Sequence, residues 1–530
     1  SEIHSSGCTL AVYADIEAGM NRREILKTGS AFGLVSTGLF LAGSGLSRSV
    51  RAQQLMGRAP LKMPPLLDTR SSGRLVLSSQ AGQTSFKNGP AAATAGFNQG
   101  YLGPTIVTQD GGLDIKVTNQ LAEMITVHWH GMLVPGIHDG AGHSPIEPGK
   151  TWAIDMQIGQ KPNMAWYHSH PHGSTARHVY SGLAGVIHHT DGRDDQRGLP
   201  STYGVDDLTL VIQDRRFDSS GRMVYNPDTT DILNGFQGER ILINGQYDAY
   251  AKVPKGLVRL RFLNGSNAKF YSLYFSDQRP MHLFATDGGF LPKPVELTYM
   301  RIAPGERMEV LVDFSGGDDP VLMSSNGLRT KILDFVRDET MQSRIARLPE
   351  KLDAEEPFIP TGSITTRRFG LNMGGSATGM VKTGGAEQGG SGHAGHAGHI
   401  SNASLIGAGP DGKLEGIAMN DFGINGRSYD AHRIDFTVPM GTYEKWTITG
   451  GAAGVEHPFH VHGVRFRVLS VSGGPPRPED SGWKDLITVN GDTQILVKFD
   501  HPASREAPYM YHCHILEHED SGMMGQFMVA

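Results

Sequence analysis

"IEPGKTWAIDM" occupies residues 146–156, and it has two echoes: "IAPGERMEVLVDF" at 302–314 and "TVNGDTQILVKF" at 488–499. Each is a glycine turn followed by apolar residues at strand alternation, which turns one face of the segment toward a core. A second echo joins "INGQYDA" at 243–249 to "INGRSYDA" at 424–431. Runs such as "KVPKGLVRLRFLN" and "HRIDFTVPMGTYEKWTITG" are also strand-like. Echoes this far apart predict an all-β chain made of three copies of one β-sandwich domain.

Length agrees, because 530 residues exceed what one core supports. The 69 glycines and 29 prolines supply many turns, and 38% hydrophobic with 19% charged residues fits a globular chain. A net charge of −6 without a basic stripe argues against nucleic-acid or anionic-membrane partners. Near the start, Arg22-Arg23 and Lys27 precede a weakly apolar, glycine-rich run to about Leu46, with a small-x-small site at Val50-Arg51-Ala52. This pattern reads as a twin-arginine export signal, with Met20 as a natural start and residues 1–19 as an upstream extension. The run is too short and too broken for a membrane anchor. Residues 1–52 are therefore kept out of the fold, and a periplasmic location is expected. Cleavage after Ala52 would remove Cys8 and leave Cys513 as a lone thiol in an oxidising compartment. Metal coordination would both protect it and use it.

Domains are expected at 53–203, 204–365 and 413–530, with a flexible Gly/Met/His-rich linker or insert at 366–412. The copies differ in one respect. After its glycine turn the first runs on to "AWYHSH" (165–170) and the third to "YMYHCH" (509–514), while the middle one reads "VLMSS" (321–325). The first and third keep metal donors, and the middle one has none.

Four motifs hold the chemistry: "HWHG" (His128, His130), "WYHSH" (His168, His170), "HPFHVHG" (His457, His460, His462) and "YHCHILEHEDSGMM" (His512, Cys513, His514, His518). Alternate residues of a strand share a face, so each His-x-His points two imidazoles one way, and in "HCH" the cysteine points the other. One such pair would be surface histidines on an exposed strand; four pairs in two of three copies are not. One zinc ion takes three or four ligands, fewer than are present. Thiolate, imidazole and a weak thioether are the donor set of blue copper.

In this order the four motifs resemble the multicopper oxidases, and within them the bacterial periplasmic laccase-like and copper-efflux oxidases, over residues 60–530. The resemblance implies cupredoxin-like Greek-key sandwiches in tandem and four copper ions. By motif position a type 1 copper would take His457, Cys513, His518 and Met523, with Met524 the neighbouring candidate that spacing disfavours. A type 2 copper would take His128 and His462. The two type 3 coppers would take His130, His168, His514 and His170, His460, His512. Cys513, chemically bonded through the backbone to His512 and His514, would conduct electrons to that cluster. Asp139 and Glu519 match family carboxylates that deliver protons, against the alternative of two solvated acids. His143 and His172 match no ligand position, and His188-His189 read as surface groups.

The function implied is one-electron oxidation of phenolic or aromatic donors coupled to reduction of O2 to water by a monomer. Cuprous oxidation in copper tolerance is the alternative, and a non-catalytic copper-binding or scaffold protein the third reading. Scaffold members of the family have lost the ligands, whereas this chain keeps them all. Against the cuprous reading, Ala453, Val455 and Thr378 stand where the efflux branch has Cu(I) ligands, and only Met373 matches. In the insert, His393, His396 and His399 recur every third residue, which suits either an accessory metal tract or a plain polar linker. Glu456, next to His457, is either a contact for the donor or a surface acid.

Overall fold

The repeated phrase forms the same strand three times. Thr151–Ile158 pairs antiparallel with Gly111–Asn119, Arg307–Asp313 with Leu257–Asn264, and Gly491–Lys498 with Tyr443–Gly450. Gly149, Gly305 and Gly491 ahead of or opening these strands have φ of +73°, +83° and +80°, a left-handed turn that glycine enters without a Cβ penalty. Each partner strand also pairs in parallel with an earlier one: Gly111–Asn119 with Arg74–Thr84, Leu257–Asn264 with Asp207–Phe217, and Tyr443–Gly450 with Thr365–Asn372.

These observations come from a computed structural model that describes residues 55–86, 89–325, 329–355, 360, 363–373, 422–451 and 454–530. The export signal, Cys8, Thr378, Ala453, His393, His396 and His399 lie outside the described residues. Among the described residues six sheets pair into three sandwiches, each closed around its own apolar cluster. Trp129 and Tyr167 fill the first, Phe262 and Phe335 the second, and Trp446, Phe459 and Tyr511 the third. Each such aromatic, taken wholly out of water, contributes about 2–3 kcal/mol. Among the described residues no helix is long and apolar enough to cross a membrane.

The second echo is a turn that clips the first strand of a sandwich. Asn244 accepts from Val211 N at 2.8 Å and donates to Thr209 O at 2.9 Å; Asn425 accepts from Gly370 N at 2.7 Å and donates to Arg368 O at 3.1 Å. Asn98, in "FNQG", does the same for Ser78 N and Val76 O in the first sandwich, a third copy that its sequence hides. All three asparagines have φ between +51° and +59°.

Two expectations need correction. Residues 366–372, placed at the head of the linker, belong to the strand Thr365–Asn372 that pairs with Tyr443–Gly450. His188 and His189 are buried, not surface groups. Their strand Ala184–His189 is central in its sheet, with neighbours on either side. The two rings find partners in buried Thr209 Oγ1 (3.1 Å from His188 Nε2) and in Gln160 O (3.0 Å from His189 Nε2).

A buried ionic knot joins the sandwiches. Arg307, from the second, donates to Met164 O of the first at 3.0 Å and to Asp485 Oδ1 of the third at 2.8 Å. Lys484 reaches back from the third to Asp287 (3.0 Å) and Glu306 (2.7 Å) of the second.

Candidate metal centre

Strand register assembles the histidines. His128 lies opposite His168 in the pairing of His128–His130 with Asn163–His168, and His460 lies opposite His512 in the pairing of His457–Val461 with Tyr509–Cys513. Alternation then sends eight imidazoles, four from the first sandwich and four from the third, into one buried gap. His128 stacks on His462 with ring centroids 3.8 Å apart, and His130 on His460 at 3.6 Å. His130, His168 and His514 are 5.2–5.9 Å from one another. His512 is 5.0 Å from His170 and 5.4 Å from His460. Donor atoms within 4.8 Å also group across the three expected sets, as in His128, His460 and His462 or His170, His462 and His512. Trp166 stacks on His168 at 4.2 Å and closes the gap on that side.

The ring nitrogens have defined roles. Nδ1 of His128, His168, His460 and His512 lies 2.8–3.1 Å from the backbone oxygens of Asp139, Ser169, Asp485 and Cys513. A carbonyl oxygen can only accept, so Nδ1 carries the proton and Nε2 keeps a lone pair. Among the described residues, Nε2 of His128, His168 and His460 has no partner, and neither nitrogen of His514 has one. His512 Nε2 sits 3.0 Å from His462 Nε2 and 3.3 Å from His170 Nε2. Burial, and then mutual repulsion, holds His130, His168, His170, His460, His462 and His514 well below the usual imidazole range, and burial brings His512 down to about 3. Neutral imidazoles with inward lone pairs repel unless a cation lies among them. The donor set therefore fits metal ions, and imidazole suits copper.

A second site lies on the other face of the same strand. Cys513 Sγ is 3.5 Å from His457 Nδ1 and 3.6 Å from His518 Nδ1, and all three residues are buried. Burial pushes the Cys513 thiol up, and lowers His457 to about 4 and His518 to about 3. His518 Nε2 donates to Leu233 O at 3.0 Å, which leaves Nδ1 free as a ligand. Met523 packs in the apolar cluster that contains Cys513, while Met524 packs in a separate one with Ala141 and Met510.

Asp139 and Glu519 are fully buried, which removes the solvated-acid alternative. Asp139 Oδ2 accepts from His462 Nδ1 at 2.8 Å and lies 3.4 Å from His128 Nδ1. Glu519 lies 3.2 Å from His512 Nδ1 and 3.4 Å from His170 Nδ1. Burial, and then the charge of Asp520, keeps its carboxyl well above the usual range. His143 donates to Gly136 O at 2.8 Å, and His172 is exposed beside Tyr429. Glu456 is ion-paired with Arg301. Asp485 escaped the sequence reading: its Oδ1 is 3.1 Å from His130 Nε2, yet "WKDL" carries no metal signal. So did Ser169 and His178, whose Oγ and Nδ1 are 2.9 Å apart directly behind the His168–His170 pair.

Residues 78–192, 211–335 and 410–530 each match a sequence family described as multicopper oxidase. Among solved structures, the chain is similar to a bacterial laccase-like multicopper oxidase from Ochrobactrum sp., described as having oxidase activity towards lignin model compounds. Identity is 38%, the TM-score 0.78, and coverage 89% of this chain and 100% of that one. A metallo-oxidase of Campylobacter jejuni matches at 26% identity and TM-score 0.72 over 90% of this chain and 96% of that one. Among curated proteins, it is 35% identical over 92% of its length to the proteins named Cell division protein FtsP of Dickeya dadantii (97% of that chain) and Escherichia coli (98%). That name, spanning nearly the whole chain, overturns the expected oxidation of phenolic or aromatic donors with dioxygen, and the cuprous oxidase alternative with it. The motifs report which ions the strands can hold, and a fold's chemistry does not fix its cellular task.

Proposed function

The chain belongs to the multicopper oxidase family, and from that premise we propose that it is a copper-loaded redox protein of the periplasm that serves in cell division. The inward nitrogens, with their unshared and opposed lone pairs, support copper loading. The name shared by relatives over 92% of the chain supports the cellular role. The twin-arginine pattern at Arg22-Arg23 supports export.

In this reading four coppers are held. His457, Cys513 and His518, with Met523 packed beside Cys513, would hold one. His128 with His462, His130 with His168 and His514, and His170 with His460 and His512 would hold three. Copper bound in these sites supplies one-electron transfer. The protein's own part is orientation and exclusion of water. Backbone oxygens fix the tautomers, Trp166 covers the cluster, and the peptide bonds on either side of Cys513 join the two sites covalently. Asp139 and Glu519 are the groups placed to hold or move a proton at His462 Nδ1 and His512 Nδ1.

Two measurements test the reading. Protein loaded with copper should contain four ions per chain and absorb intensely in the visible through Cys513, and Cys513→Ser should lose the absorption but keep cluster copper. Cells lacking the protein should show delayed septation and greater length, restored by the wild-type gene. Unchanged cell length removes the cellular role, and a colourless loaded protein removes the Cys513 site.

A further inference from the structure

Among the described residues the middle sandwich offers no histidine to either site, yet it holds the helix that carries one. That helix, Leu516–Asp520, follows "HCH" directly and contains His518. Its hold is Glu517, a carboxylate only 3% exposed. Three donors of the second sandwich meet it: Tyr225 Oη at 3.0 Å, Asn267 Nδ2 at 2.8 Å and Phe236 N at 3.0 Å. Asn267 also accepts from Leu516 N through its backbone oxygen at 3.1 Å. A buried carboxylate is costly unless fully bonded, so this arrangement is stable in one orientation of the helix.

The atom that fixes the His518 ring comes from the same stretch of the second sandwich. Leu233 O, which accepts from His518 Nε2, lies three residues before Phe236 N, which donates to Glu517. Leu233 sits in the helix Thr229–Asn234, whose start is closed by reciprocal bonds between Asp228 and Asp231, and Asp231 is further paired with Arg216 at 2.8 and 3.0 Å. A rigid support therefore presents both an acceptor to the ring and a donor to the neighbouring carboxylate.

We propose that Glu517 is a positioning residue, which locks Leu516–Asp520 to the second sandwich so that His518 turns Nδ1, and not Nε2, toward Cys513. The inference deepens the reading of His457, Cys513 and His518 as a copper site, and rests on it. The middle sandwich thereby sets the ligand geometry of a site to which it contributes no ligand.

The test uses the full chain and the variants Glu517→Ala, Glu517→Gln and Asn267→Ala, the last keeping the carboxylate in case the first fails to fold. In metal-free protein, nitrogen NMR of His518 should show a single tautomer with Nδ1 unprotonated in the wild type, and a mixture in Glu517→Ala and Asn267→Ala. After copper loading, both variants should lose affinity at the Cys513 site by about 10- to 100-fold, the usual effect of removing an outer partner of a ligand. Their visible absorption should shift while cluster copper stays, and Glu517→Gln, which keeps one acceptor oxygen but turns an amide N–H2 toward the remaining donor, should fall between the wild type and Glu517→Ala. A purely stabilising role would lower the melting temperature and leave the tautomer and absorption untouched, and that result in either folded variant overturns the proposal. A wild type without visible absorption removes the copper site instead, while the metal-free tautomer still decides whether Glu517 orients the ring.

Discussion

Gly305 shows how little space the cluster leaves. It lies in the repeated phrase, at φ +83°, and a Cβ there would come within 2.8 Å of His514 Cε1 and 2.9 Å of its Nε2. Backbone strain at such a position costs about 1–3 kcal/mol, and the imidazole must also move. Gly305→Ala should therefore lower copper in the histidine cluster while the visible absorption of the Cys513 site persists. Copper per chain and absorbance, measured on one preparation, check this. At this scale the sequence was most informative. A His-x-His on a strand needs only local alternation to aim its rings, so the eight imidazoles were legible before any fold was known. Asp485 and Glu517 were not, because each acquires its role from partners hundreds of residues away, Glu517 from Asn267 and Asp485 from His130.

Among the elements, the asparagine turns do the most with the least. Each one satisfies an N–H and a C=O of an early strand of its sandwich from a left-handed backbone that asparagine tolerates better than other residues with a Cβ. Asn425→Ala removes both bonds, keeps the positive φ, and should destabilise by about 2–3 kcal/mol, seen as a lower denaturant midpoint. Asn425→Gly relieves the backbone and should cost less, and the ordering of the two variants separates strain from lost bonds. The echoes at 243 and 424 were readable because both spell "ING". The copy at Asn98 was not, because "FNQG" keeps the geometry and loses the spelling. The strand Thr365–Asn372 was missed for a related reason: beside a glycine-rich insert, "TTRRFGLN" has few apolar residues, and its parallel pairing with Tyr443–Gly450 supplies the order.

For the whole molecule, the junctions between sandwiches carry charge as well as apolar contact. Burial raises the Glu306 carboxyl to about 7 against the pull of Lys484. A carboxyl raised above its ordinary value in the fold favours the folded state below that ordinary value. The contribution is lost as pH rises through about 7. Stability should therefore fall between about pH 4.5 and 7 through this group. Glu306→Gln should flatten that part of the profile, and urea titrations at a series of pH values, wild type against variant, measure the difference. The number of sandwiches could be read from three glycine turns, but the way they interlock could not. Arg307, Asp485 and Met164 O meet through tertiary placement alone, and the buried His188 and His189 owe their burial to the same cause.

The contact between His170 and His512 spans 342 residues of chain, and that between His462 and Asp139 spans 323. Bringing such distant segments together is the slow part of folding, because the entropy of closing the loop is lost before any contact repays it. A chain emerging from the ribosome can complete its first two sandwiches while half of the cluster has not yet been synthesised. The first sandwich alone already brings His128, His130 and His168 within ligand distance of one another. The pocket of eight imidazoles closes over that half only when the third sandwich docks.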